Sequence, residues 1–483
     1  MKRLIVASLS AVALAACSTD NAPLAPATEV SPSVGRGTTV IVTHGYAAGK
    51  GTLRAAIDAA NADARITHIE IKPANMTITL DGSVTYTGTQ SLTIVGKRTT
   101  IDASAVAGSA LVSTSGADLS IESLTIRDAG QQGLEVQIPM MRTGTVSVRL
   151  HEFAAIGNVG HGVLINEQKQ PDTDAPDFDP SGSDASLAVQ VSNSRFAGNG
   201  NSTTSVIDRD GLRVNEGGLG DLTLTASNVI AEDNGADGIE LDERGAGDVL
   251  LDVSDTQILR NGERYDVDLD DGFDVDEYDT GGIIGTVVRT KANDNFEEGL
   301  DFNENDLGDL RVDLTDVEAS RNREEGIDYE EDDDNAVGTG GGSIETTMIN
   351  VIADGNGVDG GDGGVRIREK LEGNLVATLT NVRANGNVAR GISIREDANG
   401  FLISTVAQAE AKANGNNGIE FDERGSGDLT AEVQQSVAMG NTGVGVRANQ
   451  ATPGTGKLTL TAVTLSGNTA GNTGGNVSPM IVP

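Results

Sequence analysis

A six-residue phrase recurs through this chain: glycine, apolar, variable, apolar, variable, glutamate. It reads Gly238-Ile239-Glu240-Leu241-Asp242-Glu243 in one copy and Gly418-Ile419-Glu420-Phe421-Asp422-Glu423 in another. The leading glycines stand at 162, 211, 238, 272, 299, 326, 364, 391 and 418. From 211 to 238, 272 to 299, 299 to 326, 364 to 391 and 391 to 418 the step is the same, 27. Gaps of 34 and 38 are the same unit with short insertions, and the gap of 49 holds a longer one. Repetition at a fixed step means stacked units, each burying its apolar face only against its neighbours.

Within a unit the two apolar positions alternate with polar ones, so they point to one side of a strand. Ile239 and Leu241, Phe273 and Val275, Leu300 and Phe302, Ile327 and Tyr329, and Ile392 and Ile394 would then stack as two interior columns. A Gly/Asp turn follows the glutamate, as at Gly245-Ala246-Gly247-Asp248, and then a second alternating strand such as Leu310–Leu314. A third short strand, near Val317, leads to an asparagine four positions before the next glycine, at Asn158, Asn234, Asn295, Asn322, Asn387 and Asn414. Three strands and three turns in each such unit describe one coil of a parallel β-helix. The asparagines are expected to hydrogen-bond from coil to coil. Aromatic residues are 3% of the chain and Trp is absent, which suits a core of stacked Val, Ile and Leu rather than one compact globule.

Ahead of the repeats, Thr39–Val42 reads as a first strand and Leu53–Asn61 as the one convincing helix, with Leu53, Ala56, Ile57 and Ala60 on one face. Strands are expected near Ile69–Ile71, Met76–Leu80, Leu92–Val95 and Leu119–Ile126. The alternating strands, the asparagine column and the capping helix resemble the right-handed parallel β-helix of the pectate-lyase superfamily. The resemblance covers roughly residues 38 to 470. It implies an all-β solenoid, placed at 38–475, with 27-residue coils from about 158 to 445. It says little about activity, because that fold hosts lyases, hydrolases, epimerases and adhesins.

Residues 1–37 are of another kind. Met1-Lys2-Arg3 is basic, Leu4–Ala16 is an apolar run too short to span a membrane, and Leu14-Ala15-Ala16-Cys17 closes it. This resembles a bacterial lipoprotein signal, which implies cleavage after residue 16 and a lipid on Cys17, the chain's one cysteine. The serine at 18 implies sorting to the outer membrane. Residues 17–37, with Pro23, Pro26 and Pro32, read as an extended tether. The expected partners are the membrane, through that lipid, and a polysaccharide or envelope protein.

Acids outnumber bases 72 to 34, for a net charge of −38. That argues against nucleic acid, which needs a basic stripe. Half the acids, 36 against 8 bases, fall between residues 232 and 334. The glutamate column is Glu167, Glu216, Glu243, Glu277, Glu304, Glu331, Glu369, Glu396 and Glu423, with Glu240, Asp242, Asp274, Asp276, Asp301, Asp328 and Glu330 beside it. Like charges one coil apart, about 4.8 Å, repel by roughly 3.5 kcal/mol at an effective dielectric of about 20. Raised pKa values, hydrogen bonds from turn amides, or bound cations must offset that. Ca²⁺, which takes six to eight oxygens in flexible geometry, is the cation expected. Asp266, Asp268, Asp270, Asp274 and Glu277 resemble the spacing of an EF-hand loop, with Asp271 where its glycine belongs and no flanking helices. Asp301, Glu304, Asp328 and Glu331 would complete a cation-loaded face.

The expected function is a binding or structural role at the cell envelope, with enzymatic alternatives. By resemblance to β-helix lyases, a Ca²⁺-dependent polysaccharide lyase would use Arg366 or Arg395 as base beside Asp274, Asp301 and Asp328. A glycoside hydrolase would use a carboxylate pair such as Asp301 and Asp328. Scarce aromatics and the negative face count against both. The histidines at 44, 68, 151 and 161 show no zinc spacing. Insertions at about Gln168–Asp184 and Asp332–Gly342, and one before Gly272, border the same strand and would wall one face.

Overall fold

The computed structural model describes residues 37–168, 181–200, 209–262, 270–332 and 341–483. The expected signal segment and tether, with Cys17, most of the three insertions, and Asp266 and Asp268 lie outside the described residues.

The chain is an all-β, right-handed parallel β-helix with one helix among the described residues. That helix, Leu53–Ala62, buries Leu53, Ala56, Ile57 and Ala60, the face the spacing predicts. The Thr52 hydroxyl caps it by accepting the Ala55 N–H. The first strands of successive coils form a parallel sheet of 14 strands, from Val84–Tyr86 to Gly471–Gly474. The second and third strands wrap the other sides as a 19-stranded sheet, joined near the C-terminus by a three-stranded one. Stacking starts well before the repeated phrase. Val84 already pairs with Leu111, one repeat step on, although no Gly…Glu phrase marks those coils. It also runs past residue 475, because Pro479–Val482 pairs with the preceding coil.

Register is strict. Ile239, Phe273, Leu300, Ile327 and Val365 stand directly over one another, as do Leu241, Val275, Phe302, Tyr329 and Ile367. All ten are buried. Phe273, Phe302 and Tyr329 form a continuous aromatic stack, with ring centroids 6.0 and 5.0 Å apart. The asparagine column is longer than the sequence suggests. It runs unbroken through Asn158, Asn199, Asn234, Asn261, Asn295, Asn322, Asn356, Asn387, Asn414, Asn441 and Asn468. The side-chain oxygen of each from Asn199 onward accepts the backbone N–H of the one before, as Asn322 does from Asn295 at 3.0 Å. This satisfies, at every coil, a buried turn amide that no strand can reach.

Candidate metal centre

The glutamate column is the first correction. Glu277, Glu304 and Glu331, expected on an outward acidic face, point into the solenoid and are fully buried, as are Glu216, Glu243, Glu369 and Glu396. The reason is strand parity. The glutamate follows the second apolar residue by two, so it shares that residue's face. Each sits at the corner where the first strand turns, and most accept turn amides. Gly308 N–H donates to Glu304 at 2.6 Å, Gly281 to Glu277 at 3.0 Å and Gly425 to Glu423 at 2.9 Å.

Burial raises these carboxyls first, and neighbouring acids add to it. Glu304 and Glu331 are pushed up to about 9, Glu369 to about 8 and Glu277 to about 7. Glu243, between Glu216 and Glu277, is held protonated by its own burial and those two carboxylates. One oxygen of each of Glu243, Glu277, Glu304, Glu369 and Glu396 has no conventional donor. Protons shared from coil to coil would account for both observations, since neighbours such as Glu243 and Glu277 act on each other's carboxyls. The column is an interior ladder of carboxyls, and among the described residues none of its members belongs to the acidic groups close enough to share an ion.

The outward acids are arranged differently. By strand register, Glu240, Asp274, Asp301 and Asp328 form one row, with Arg213 before it and Arg366 after it. A second row comes from the residues immediately before the repeat glycines: Asp210, Asp237, Asp271, Glu298 and Glu325. These are buried, and backbone bonds tie them together. Asp237 N–H donates to Asp210 at 3.0 Å, Asp271 N–H to Asp237 at 2.6 Å and Glu298 N–H to Asp271 at 2.6 Å. The reading from sequence missed this row, although an acid directly before the glycine in five consecutive copies was a visible signal.

The two rows converge. Asp271, Asp274 and Asp301 each bring a carboxylate oxygen within 4.8 Å of the others, and so do Glu298, Asp301 and Asp328. Further sets of the same tightness are Asp271, Glu297 and Glu298; Glu298, Glu324 and Glu325; and Asp210, Asp237 and Glu240. Among the described residues no Lys or Arg pairs with Asp237, Asp271, Asp274, Glu298 or Asp301; the ion pairs lie at the two ends. Arg213 binds Glu240 at 2.5 Å and lies 3.6 Å from Asp210. Arg366 donates from Nε to Asp328 at 2.6 Å and lies 3.3 Å from Glu325 and 3.0 Å from Glu330. Between those guanidiniums Asp274 Oδ1 and Asp301 Oδ1 are buried with no partner, which is costly for an oxygen that water would otherwise solvate.

Electrostatics follow from that crowding. Burial, then neighbouring carboxylates, holds Asp237, Asp271, Asp274 and Glu298 well above the ordinary range. Asp276, Asp301 and Asp328 are pushed up to about 7, again by burial first, with Arg366 drawing the last two back down. Crowding on this scale resists ionisation of the whole trough. A cation among these oxygens would let it ionise at neutral pH. The oxygen-only donor set fits a hard divalent cation such as Ca²⁺ or Mg²⁺ rather than zinc.

Of the residues expected to hold metal, Asp274, Asp301 and Asp328 are brought together here. Asp270 adjoins the same row, close enough for its charge to raise Asp237. Of those expected to catalyse, Arg366 is clasped by three carboxylates that hold its guanidinium protonated, which leaves no free base. Arg395 bonds Asp397. Asp301 and Asp328 each bring one carboxylate oxygen within 4.8 Å of the other.

No family model matches this sequence, and no curated protein does. Among solved structures the chain is similar to pectate lyase Pel9A, at 18% identity over 78% of this chain and 80% of that one, with a TM-score of 0.39. It is similar to the periplasmic alginate epimerase AlgG, at 14% identity over 79% and 78%, with a TM-score of 0.34. It is also similar to PfbA, a surface adhesin of Streptococcus pneumoniae, at 10% identity over 90% and 93%, with a TM-score of 0.28. Likenesses this distant go no further than the stacked-coil architecture, which the strand pairing displays directly: the chain is a parallel β-helix protein.

Proposed function

We propose that this protein is a non-catalytic β-helix of the cell envelope, anchored through a lipid on Cys17, whose acidic face takes up Ca²⁺ in a binding or structural role. One observation carries the cation reading. Two rows of buried or half-buried carboxylates approach within 4.8 Å, keep orphaned oxygens, and have no described counter-cation between Arg213 and Arg366. Ion pairs complete the face elsewhere, so the gap is local.

Ca²⁺ that binds the folded chain raises its stability by about 2.7 kcal/mol when free cation is a hundredfold over Kd. Thermal unfolding in CaCl₂ against EDTA, at equal ionic strength, therefore shows a midpoint several degrees higher with Ca²⁺. An unchanged midpoint removes the cation reading.

The alternative is a glycan-acting lyase or hydrolase, and the clasped Arg366 speaks against the base foreseen for the lyase. Incubation with uronate and neutral glycans, with Ca²⁺ and with chelator, is expected to release neither unsaturated nor reducing ends. Release of either overturns the non-catalytic role. The anchor is tested separately, by labelled palmitate incorporation that Cys17→Ser abolishes.

A further inference from the structure

Resting on the cation-binding reading above, we propose that the trough holds two divalent cations one coil apart, bridged by the Asp301 carboxylate, and that Arg366 occupies the position of a third. The first position is set by Asp271, Asp274 and Asp301, the second by Glu298, Asp301 and Asp328. Each member of the second set stands one repeat step after its counterpart in the first, and strand pairing places Asp274 over Asp301 and Asp301 over Asp328. The coil repeat has thus copied a ligand set and not only a core. The rim sets, Asp271–Glu297–Glu298 and Glu298–Glu324–Glu325, repeat at the same step and share Asp271 and Glu298 with the inner ones. They supply further oxygens to the same two positions, as a cation that prefers six to eight requires.

Asp301 is suited to the bridge. Asn303 donates to one of its oxygens at 2.8 Å, and the other, Oδ1, is buried with no partner. Asp274 Oδ1 is likewise buried and unpartnered. Two dications about 4.8 Å apart repel, and a shared carboxylate between them offsets that repulsion, as in two-metal sites about 3.5–4 Å apart.

The ends of the array are fixed by guanidiniums. One coil further on, the equivalent set is Glu325, Asp328 and residue 366. Arg366 stands there and places its own positive charge against both carboxylates. One coil earlier the equivalent set is Asp237, Glu240 and Asp274, and Arg213 draws Glu240 toward itself at 2.5 Å.

Native mass spectrometry of the protein titrated with CaCl₂ counts the ions. Two per chain are expected in the wild type and one in Asp274→Asn, which touches only the first set. Asp301→Asn weakens both, by at least tenfold. Energy transfer from Tb³⁺ to Eu³⁺ reports whether the two ions are neighbours, and it is expected in the wild type and lost in Asp274→Asn. No bound ion at all refutes the cation reading itself. A single ion, two ions without energy transfer, or an Asp274→Asn protein that keeps both leaves that reading standing and overturns the bridged pair.

Discussion

Glu304 shows how far a side chain's neighbours can carry it from its usual chemistry. It is buried, accepts the Gly308 amide, and lies between Glu277 and Glu331 in the column. Asp306 adds to the raising of its pKa, as Asp248 does for Glu277 and Asp309 for Glu331. The sign of the resulting pH dependence is fixed. Unfolded, Glu304 titrates near 4.5, and folded near 9. Between those values the folded state holds more protons, so stability is intact below pH 4.5 and declines as pH rises toward 9. Glu304→Gln keeps the shape and hydrogen-bonding capacity but cannot ionise. Urea unfolding with chelator present is expected to find it little changed at pH 5 and more stable than the wild type at pH 9. Equal loss at both pH values would show that the ladder is not held by shared protons. The inward direction of this residue was legible from parity alone. The direction is unexpected only because a charged side chain is rarely fully buried.

At the scale of an element, one coil is held by what lies above and below it. The strand Leu300–Asp306 places Phe302 between Phe273 and Tyr329, and Tyr329 donates its hydroxyl to the Val312 carbonyl at 3.0 Å. Phe302→Ala leaves a void that rigid neighbouring coils cannot close. It is expected to cost about 3–5 kcal/mol in denaturant unfolding. Asn295→Ala removes a side chain that donates to Asn322 and accepts from Asn261. It strands the buried Asn261 amide, at a cost of about 1–3 kcal/mol by the same measurement. The stacking columns of both residues were readable from spacing. In the coils before Gly162 the strands keep the alternation, and Gly133 stands before Leu134, but no glutamate closes the phrase.

Across the whole molecule, charge is distributed unevenly along a uniform scaffold. The middle coils concentrate carboxylates, while from Arg366 onward the same register positions carry Arg366, Arg368 and Arg395 among acids. A cation bound between the guanidinium ends should tighten the coils it touches and leave the rest alone. Hydrogen exchange is expected to slow on Ca²⁺ addition in coils spanning residues 270–332 and to stay unchanged in the helix Leu53–Ala62 and the coils beyond 400. Uniform slowing would point to non-specific screening of the net charge instead.

The repeat period, the two apolar columns, the asparagines and the capping helix were all present in the order of residues, because each depends on local alternation and a fixed step. Which acids meet was decided only by the folded chain. Asp271 and Asp301 lie on successive coils, more than a full repeat apart in sequence, yet they are neighbours in space. Their approach depends on the coil closing in register. Whether a carboxylate there is paired, protonated or waiting for a cation depends on what surrounds it after burial, and no linear spacing encodes that.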